Sequence, residues 1–149
     1  MKIYVDTSVV GGFYDKEFSE ATKALFKKDE KGEIILVVSE LLEAELLRAP
    51  EFVRTHLDNY SNKQIQRVEL TEEAKNLAEC YIAEQVVGAT SKADCQHIAM
   101  ATINKVDVLV SWNFKHIVNL KRIRGYNSVN LKLNYTMLEI RTPKEILEL

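Results

Sequence analysis

"VDVLVSWNFKHI", residues 106 to 117, decides how the chain folds. Its first half is a valine-rich run of the kind that forms a strand covered on both faces, and its second half delivers an indole, an amide, a phenyl ring, a cation and an imidazole to the strand's tip. Two other runs share the continuous apolar character: "KIYVD" at 2 to 6 and "EIILVVS" at 33 to 39. "IQRVEL" at 65 to 70 and a weaker run around "MLEIR" at 137 to 141 complete five strand-length segments. Helical periodicity occupies the intervals at about 18 to 30, 40 to 48, 50 to 63, 72 to 86 and 91 to 105, with a sixth near 117 to 130 interrupted by Gly125. Strands that alternate with helices predict an α/β domain with a mainly parallel sheet between helical layers. Such sheets bind ligands beyond the carboxyl ends of their strands, close to where the strand order reverses. The residues that follow strands are therefore the informative ones.

Length and composition set the frame. At 149 residues the chain suits one domain spanning 1 to 149, large enough to bury a core without disulfides. No segment approaches the roughly 18 continuous apolar residues of a membrane span, and "MKIYVDTS" lacks the apolar region of a secretory signal, so a cytoplasmic protein with no membrane association is expected. Cys80 and Cys95 stand too far apart for CxxC chemistry and read as reduced and structural. The formal charge is −2, yet Val108 to Leu138 contains no acid and carries Lys115, Lys121, Arg122, Arg124 and Lys132. That segment is a candidate phosphate-contacting flank, or else a solvated helix face.

Three acids follow strands or ride on apolar helix faces. Asp6 closes the first strand, with Thr7 and Ser8 directly after it, a position equally suited to a helix N-cap. Glu45, placed at 100° per residue, falls between Leu41 and Leu42, while Glu40 and Glu43 point away. A carboxylate on such a stripe must be paired, protonated or bound to a metal, and a buried Arg or Lys pair competes with the metal reading. Asp94 ends "SKAD", a capping-box pattern, but Ile98 and Ala101 at i+4 and i+7 put it on an inward face.

Together "YVDTSVV", "VVSELLEAELL", "KADCQHIAMAT" and "VDVLVSWNFKHI" resemble the PIN-domain nucleases, and among them the bacterial VapC-type toxins. The ordered blocks run through nearly the whole chain, and "EIRTPKEIL" is similar to the closing segment of such proteins. The resemblance implies a three-layer α/β/α sandwich around a mainly parallel five-stranded sheet. It also implies an acidic cluster that binds Mg²⁺ or Mn²⁺ and cleaves RNA phosphodiesters. Residue by residue, the acids fall on Asp6, Glu45 and Asp94, with Ser8 and Ser111 in support. The fourth acid is where the match departs, because Asn113 stands there. A neutral oxygen takes the site from four formal negatives to three, which predicts one principal metal, with Asn113 as direct ligand, water-mediated ligand or orienter. The resemblance also implies a homodimer and an antitoxin partner. The alternative is a catalytically weakened domain of the same fold that binds RNA or protein.

The remaining candidates divide between substrate and structure. His116 lies three residues beyond Asn113 and reads as a phosphate contact, a proton-transfer group or a capping histidine. Lys115, Lys121, Arg122 and Arg124 accompany it as candidate RNA-binding residues. Trp112 stacks on an RNA base or joins the core, the core being favoured after a buried strand. His56 and His97 have no metal-ligand spacing and receive no role. Gly11 and Gly12 form no phosphate-binding motif and read as a turn.

Overall fold

The computed structural model of the chain describes residues 1–148, apart from the side chain of Thr90. Five parallel strands form one sheet in the order β3-β2-β1-β4-β5, built from β1 (Lys2–Val5), β2 (Ile35–Ser39), β3 (Ile65–Val68), β4 (Val108–Val110) and β5 (Ile140–Arg141). The chain works outward from β1 to β3, then returns to the other flank of β1 for β4 and β5. The strand order thus reverses at the β1/β4 pair, where Ile3, Tyr4 and Val5 lie opposite Val108, Leu109 and Val110.

Side chains alternate across this sheet, so the central strands feed two cores. Tyr4, Val37 and Leu109 pack with Leu77, Tyr81, Ile98, Met100 and Tyr126, contributed by α5 (Glu72–Ala83), α6 (Lys92–Ile103) and α7 (Leu120–Lys132). Ile3, Val5, Leu36, Val38, Val108 and Val110 pack on the other face. That face is covered by α1 (Thr7–Gly12), α2 (Ser19–Glu30), α3 (Glu40–Leu46), α4 (Glu51–Arg54) and α8 (Pro143–Leu147). The three-layer α/β/α sandwich with a five-stranded parallel sheet is the architecture expected from the sequence.

Several local readings need correction. The periodic stretch 50 to 63 is two short pieces, α4 and a 3₁₀ turn at His56–Asn59. The Thr55 hydroxyl donates back to the Glu51 carbonyl at 2.8 Å, a local bond that competes with helix continuation. Gly125 does not interrupt α7; a Cβ there would sit 2.7 Å from a Val86 methyl, so the glycine admits close packing. Gly11 and Gly12 end α1 rather than form a separate turn, and a Cβ on Gly12 would meet Trp112 Nε1 at 2.7 Å. The weak last strand is only two residues long. Asn127 clamps its approach by donating to the Leu138 carbonyl at 3.0 Å and accepting from the Leu138 amide at 2.7 Å.

Candidate active site

The β1/β4 register sets the centre of the site. One step beyond the Val5/Val110 rung, the two strands deliver Asp6 and Ser111, and the Ser111 hydroxyl donates to Asp6 Oδ2 at 2.6 Å. Asp6 also caps α1, accepting from the Val9 amide at 3.3 Å, and its Oδ1 receives the Ser8 hydroxyl at 2.6 Å. The cap and site readings of Asp6 coexist in one geometry. Burial pushes this carboxyl's pKa up, opposed by the charge of His97 and by the bonds from Ser111, Ser8 and Val9.

Glu45 comes from α3, whose start is fixed by Ser39 accepting from the Leu42 amide. Its Oε1 accepts Thr7 Oγ1 at 2.9 Å and lies 2.6 Å from His97 Nε2. The partner is thus a histidine, not the Arg or Lys of the competing reading. Burial alone would raise the Glu45 pKa, but the His97 bond, the His97 charge and the Thr7 bond outweigh it and hold the group low. His97 Nδ1 in turn lies 2.6 Å from Tyr4 Oη, which donates to Ser39 Oγ at 2.9 Å. A polar chain Ser39–Tyr4–His97–Glu45–Thr7 therefore runs from the core to the strand tips. His97 is the residue the sequence reading passed over, because no spacing pattern connects it with Tyr4 or Glu45.

Asp94 sits one helical turn before His97 on α6. Its Oδ2 lies 3.1 Å from His116 Nδ1, and Ser91 Oγ lies 3.2 Å from the same nitrogen. The capping-box reading of "SKAD" fails: the Ser91 side chain makes no cap bond, and both polar ends of the motif turn toward His116. Asn113 organises the segment that carries His116. Its amide donates to Ser111 Oγ at 2.9 Å, and its Oδ1 accepts from the Lys115 amide at 3.2 Å and the His116 amide at 3.0 Å. Tyr126 secures the far side through the His116 carbonyl at 2.7 Å. Trp112 joins neither group. Its indole stacks on Phe18 and donates to Thr22 Oγ1 at 2.9 Å.

Two carboxylate centres thus form around the ends of β1 and β4, Asp6 and Glu45 about His97, and Asp94 with His116. The i, i+3 step from Asp94 to His97 and the Asp6–Ser111–Asn113 bonds join them. Among the described residues no group of three His, Cys, Asp or Glu side chains forms a ready-made metal cage. Mg²⁺ does not need one, since it commonly takes one or two carboxylates and fills its octahedron with water and substrate oxygens. The donors are hard oxygens, and among the described residues Glu45 Oε2 and Asp94 Oδ1 accept no hydrogen bond. By donor type, though not by a preformed arrangement among the described residues, these oxygens suit a hard divalent cation.

The basic flank divides. Lys115, Lys121 and Arg124 are exposed, whereas Arg122 is half-buried and donates to the Val86 carbonyl, and Lys132 pairs with Glu84 at 2.6 Å. Cys80 and Cys95 are both free thiols, and among the described residues no helix is long and apolar enough to cross a membrane.

No family model matches the sequence, and comparison with curated proteins gives no match. Solved structures do match. The chain is similar to VapBC2 from Rickettsia felis bound to a DNA fragment from their promoter, with a TM-score of 0.58 and 15% identity over 95% of this chain and 98% of that one. It is similar to FitAcB from Neisseria gonorrhoeae, with a TM-score of 0.61 and 13% identity over 95% of this chain and 98% of that one. At such identity the likeness shows a shared fold, end to end.

Proposed function

We propose, from the PIN-domain fold of the chain, that it is a divalent-metal-dependent endoribonuclease acting as the toxin of a toxin–antitoxin pair. What supports this reading is that Asp6 ends β1 where the strand order reverses, and that Glu45 on α3 and Asp94 on α6 are tied to it through His97, which bonds Glu45 and lies one turn from Asp94. Asp6, Glu45 and Asp94 would hold Mg²⁺ or Mn²⁺, which supplies a nucleophilic water at neutral pH and neutralises charge on the phosphodiester. Ser8 and Ser111 fix both Asp6 oxygens, and Thr7 and His97 fix Glu45 Oε1, leaving Oε2 without a hydrogen-bond partner among the described residues. Asn113 acts as the orienter among its three possible roles, because its Oδ1 is committed to the amides of Lys115 and His116. His116 and the exposed Lys115, Lys121 and Arg124 supply a phosphate-binding flank, with Arg122 bracing α7. The antitoxin and a second copy of the chain are its proposed partners, and the likeness to the two solved structures supports the antitoxin.

The competing reading is a weakened domain that binds RNA or protein without cutting. The occupied Asn113 oxygen and the lack of a ready-made cage favour it. A fluorogenic RNA incubated with the purified protein separates the two: cleavage with Mg²⁺ or Mn²⁺, its loss in EDTA and its loss in Asp6→Asn are expected. RNA cut equally well by a pure, folded Asp6→Asn sample refutes the assignment of Asp6.

A further inference from the structure

The loop after β4 turns two faces outward. One carries His116 toward Asp94; the other carries Phe114, a phenyl ring 51% exposed. Phe114 has an aromatic foundation. Trp112 stacks on Phe18 with centroids 4.3 Å apart and planes 20° from parallel, and Phe114 tilts over both at 6.3 Å. The indole bond to Thr22 and the close approach of Gly12 pin that foundation against the fold. The Asn113 bonds to Lys115 and His116 fix the turn in which Phe114 sits.

We propose that Phe114 is a stacking platform for an unpaired nucleobase of a bound RNA strand, next to the phosphate contacted at the acidic site. This proposal rests on the ribonuclease reading. A base already paired in a duplex offers no free face, whereas an unpaired base stacks on an aromatic ring whatever its identity. Charge decides how the strand lies. The cavity beyond Phe18 and Trp112 is rimmed by Glu17, Glu20 and Glu148, against a single Lys144, so it repels a phosphodiester backbone. The backbone belongs on the Lys115 side, with an uncharged base projecting onto Phe114. The role first weighed for Trp112 passes to its neighbour, because the indole is already stacked and hydrogen-bonded within the protein.

The test is binding in EDTA, which separates it from catalysis. Fluorescence anisotropy with a labelled, unstructured RNA oligomer, a version carrying abasic riboses, and the duplex of the first gives the affinities. Stacking of this kind predicts that Phe114→Ala weakens binding of the base-bearing strand by about tenfold and that Phe114→Trp retains it. Wild type should bind the abasic strand and the duplex about tenfold more weakly, with Phe114→Ala adding no further loss on either. Equal wild-type affinity for base-bearing and abasic strands overturns the proposal, as does full rescue by Phe114→Leu or no detectable RNA binding. So does a Phe114→Ala protein that binds RNA normally but has lost self-association in sedimentation, which would mark a protein interface. Base-dependent binding without Mg²⁺-dependent cleavage leaves the platform standing and removes the ribonuclease reading; cleavage indifferent to Phe114 does the reverse.

Discussion

Glu45 reaches the crevice with one oxygen already spoken for, by Thr7 at 2.9 Å and His97 at 2.6 Å. Such outer partners aim a ligand and commonly shift metal affinity by about 10- to 100-fold when removed. His97→Gln is therefore expected to weaken Mg²⁺ binding within that range, read by calorimetry. Tyr4→Phe, which removes only the hydroxyl behind His97, should have a smaller effect in the same direction. A His97→Gln protein with wild-type metal affinity would show that the histidine only fills space. Asp6, Glu45 and Asp94 were legible in the sequence because each is an acid at a strand end or on an apolar helix face. His97 was not, because its partners lie 93 and 52 residues away and an isolated histidine among alanines carries no periodic signal. Asn113 was legible as an anomaly, and its local work of holding the turn became visible only with the backbone amides in place.

At the scale of elements, α1 is a six-residue helix whose job is positional. Asp6 caps it at one end and Gly12 lets Trp112 lie against it at the other. Gly12→Ala is expected to cost about 1–3 kcal/mol, since backbone or indole must move to admit the methyl group. Urea unfolding measures the cost, and a shift in the emission of Trp112, the sole tryptophan, reports the displacement. β5 invites a second test. Two residues of strand hold little by themselves, so removing the Asn127 clamp with Asn127→Ala should destabilise the protein by about 1–3 kcal/mol, because the Leu138 amide and carbonyl lose buried partners. The positions of β1, β2 and β4 were readable from continuous apolar runs, which bury on both faces. The ends of 50 to 63 and 117 to 130 were not, because Thr55 and Asn119 redirect the backbone by single side-chain bonds.

Besides Asp6, a second buried carboxyl opposes the fold at neutral pH, and it lies away from the site. Asp29 is 1% exposed, its Oδ1 accepts from the Leu36 amide at 3.2 Å, and its Oδ2 is buried with no partner among the described residues. Burial, reinforced by the nearby Glu30 and countered by the Leu36 bond, pushes its pKa to about 6 from 3.8. A carboxyl whose folded pKa exceeds its unfolded value stabilises the fold fully below the unfolded value, and that contribution is lost as pH rises through the folded one. Stability should thus fall between about pH 4 and pH 6 by up to about 3 kcal/mol from this group. Urea midpoints across that window check it, and Asp29→Asn should flatten the slope. An unchanged slope in the variant would assign it to other groups.

The parallel register of the sheet has a consequence in time. Asp6 and Ser111 are 105 residues apart in sequence yet share a hydrogen bond, so nothing made early in synthesis contains the site. Chains emerge from the ribosome in order, and distant contacts wait for both partners. A nascent chain that has displayed Asp6 and Glu45 still lacks the strand that brings Ser111, Asn113 and His116 beside them. On the proposed ribonuclease reading, the segment from β4 onward would act as a safety catch that the order of translation releases last.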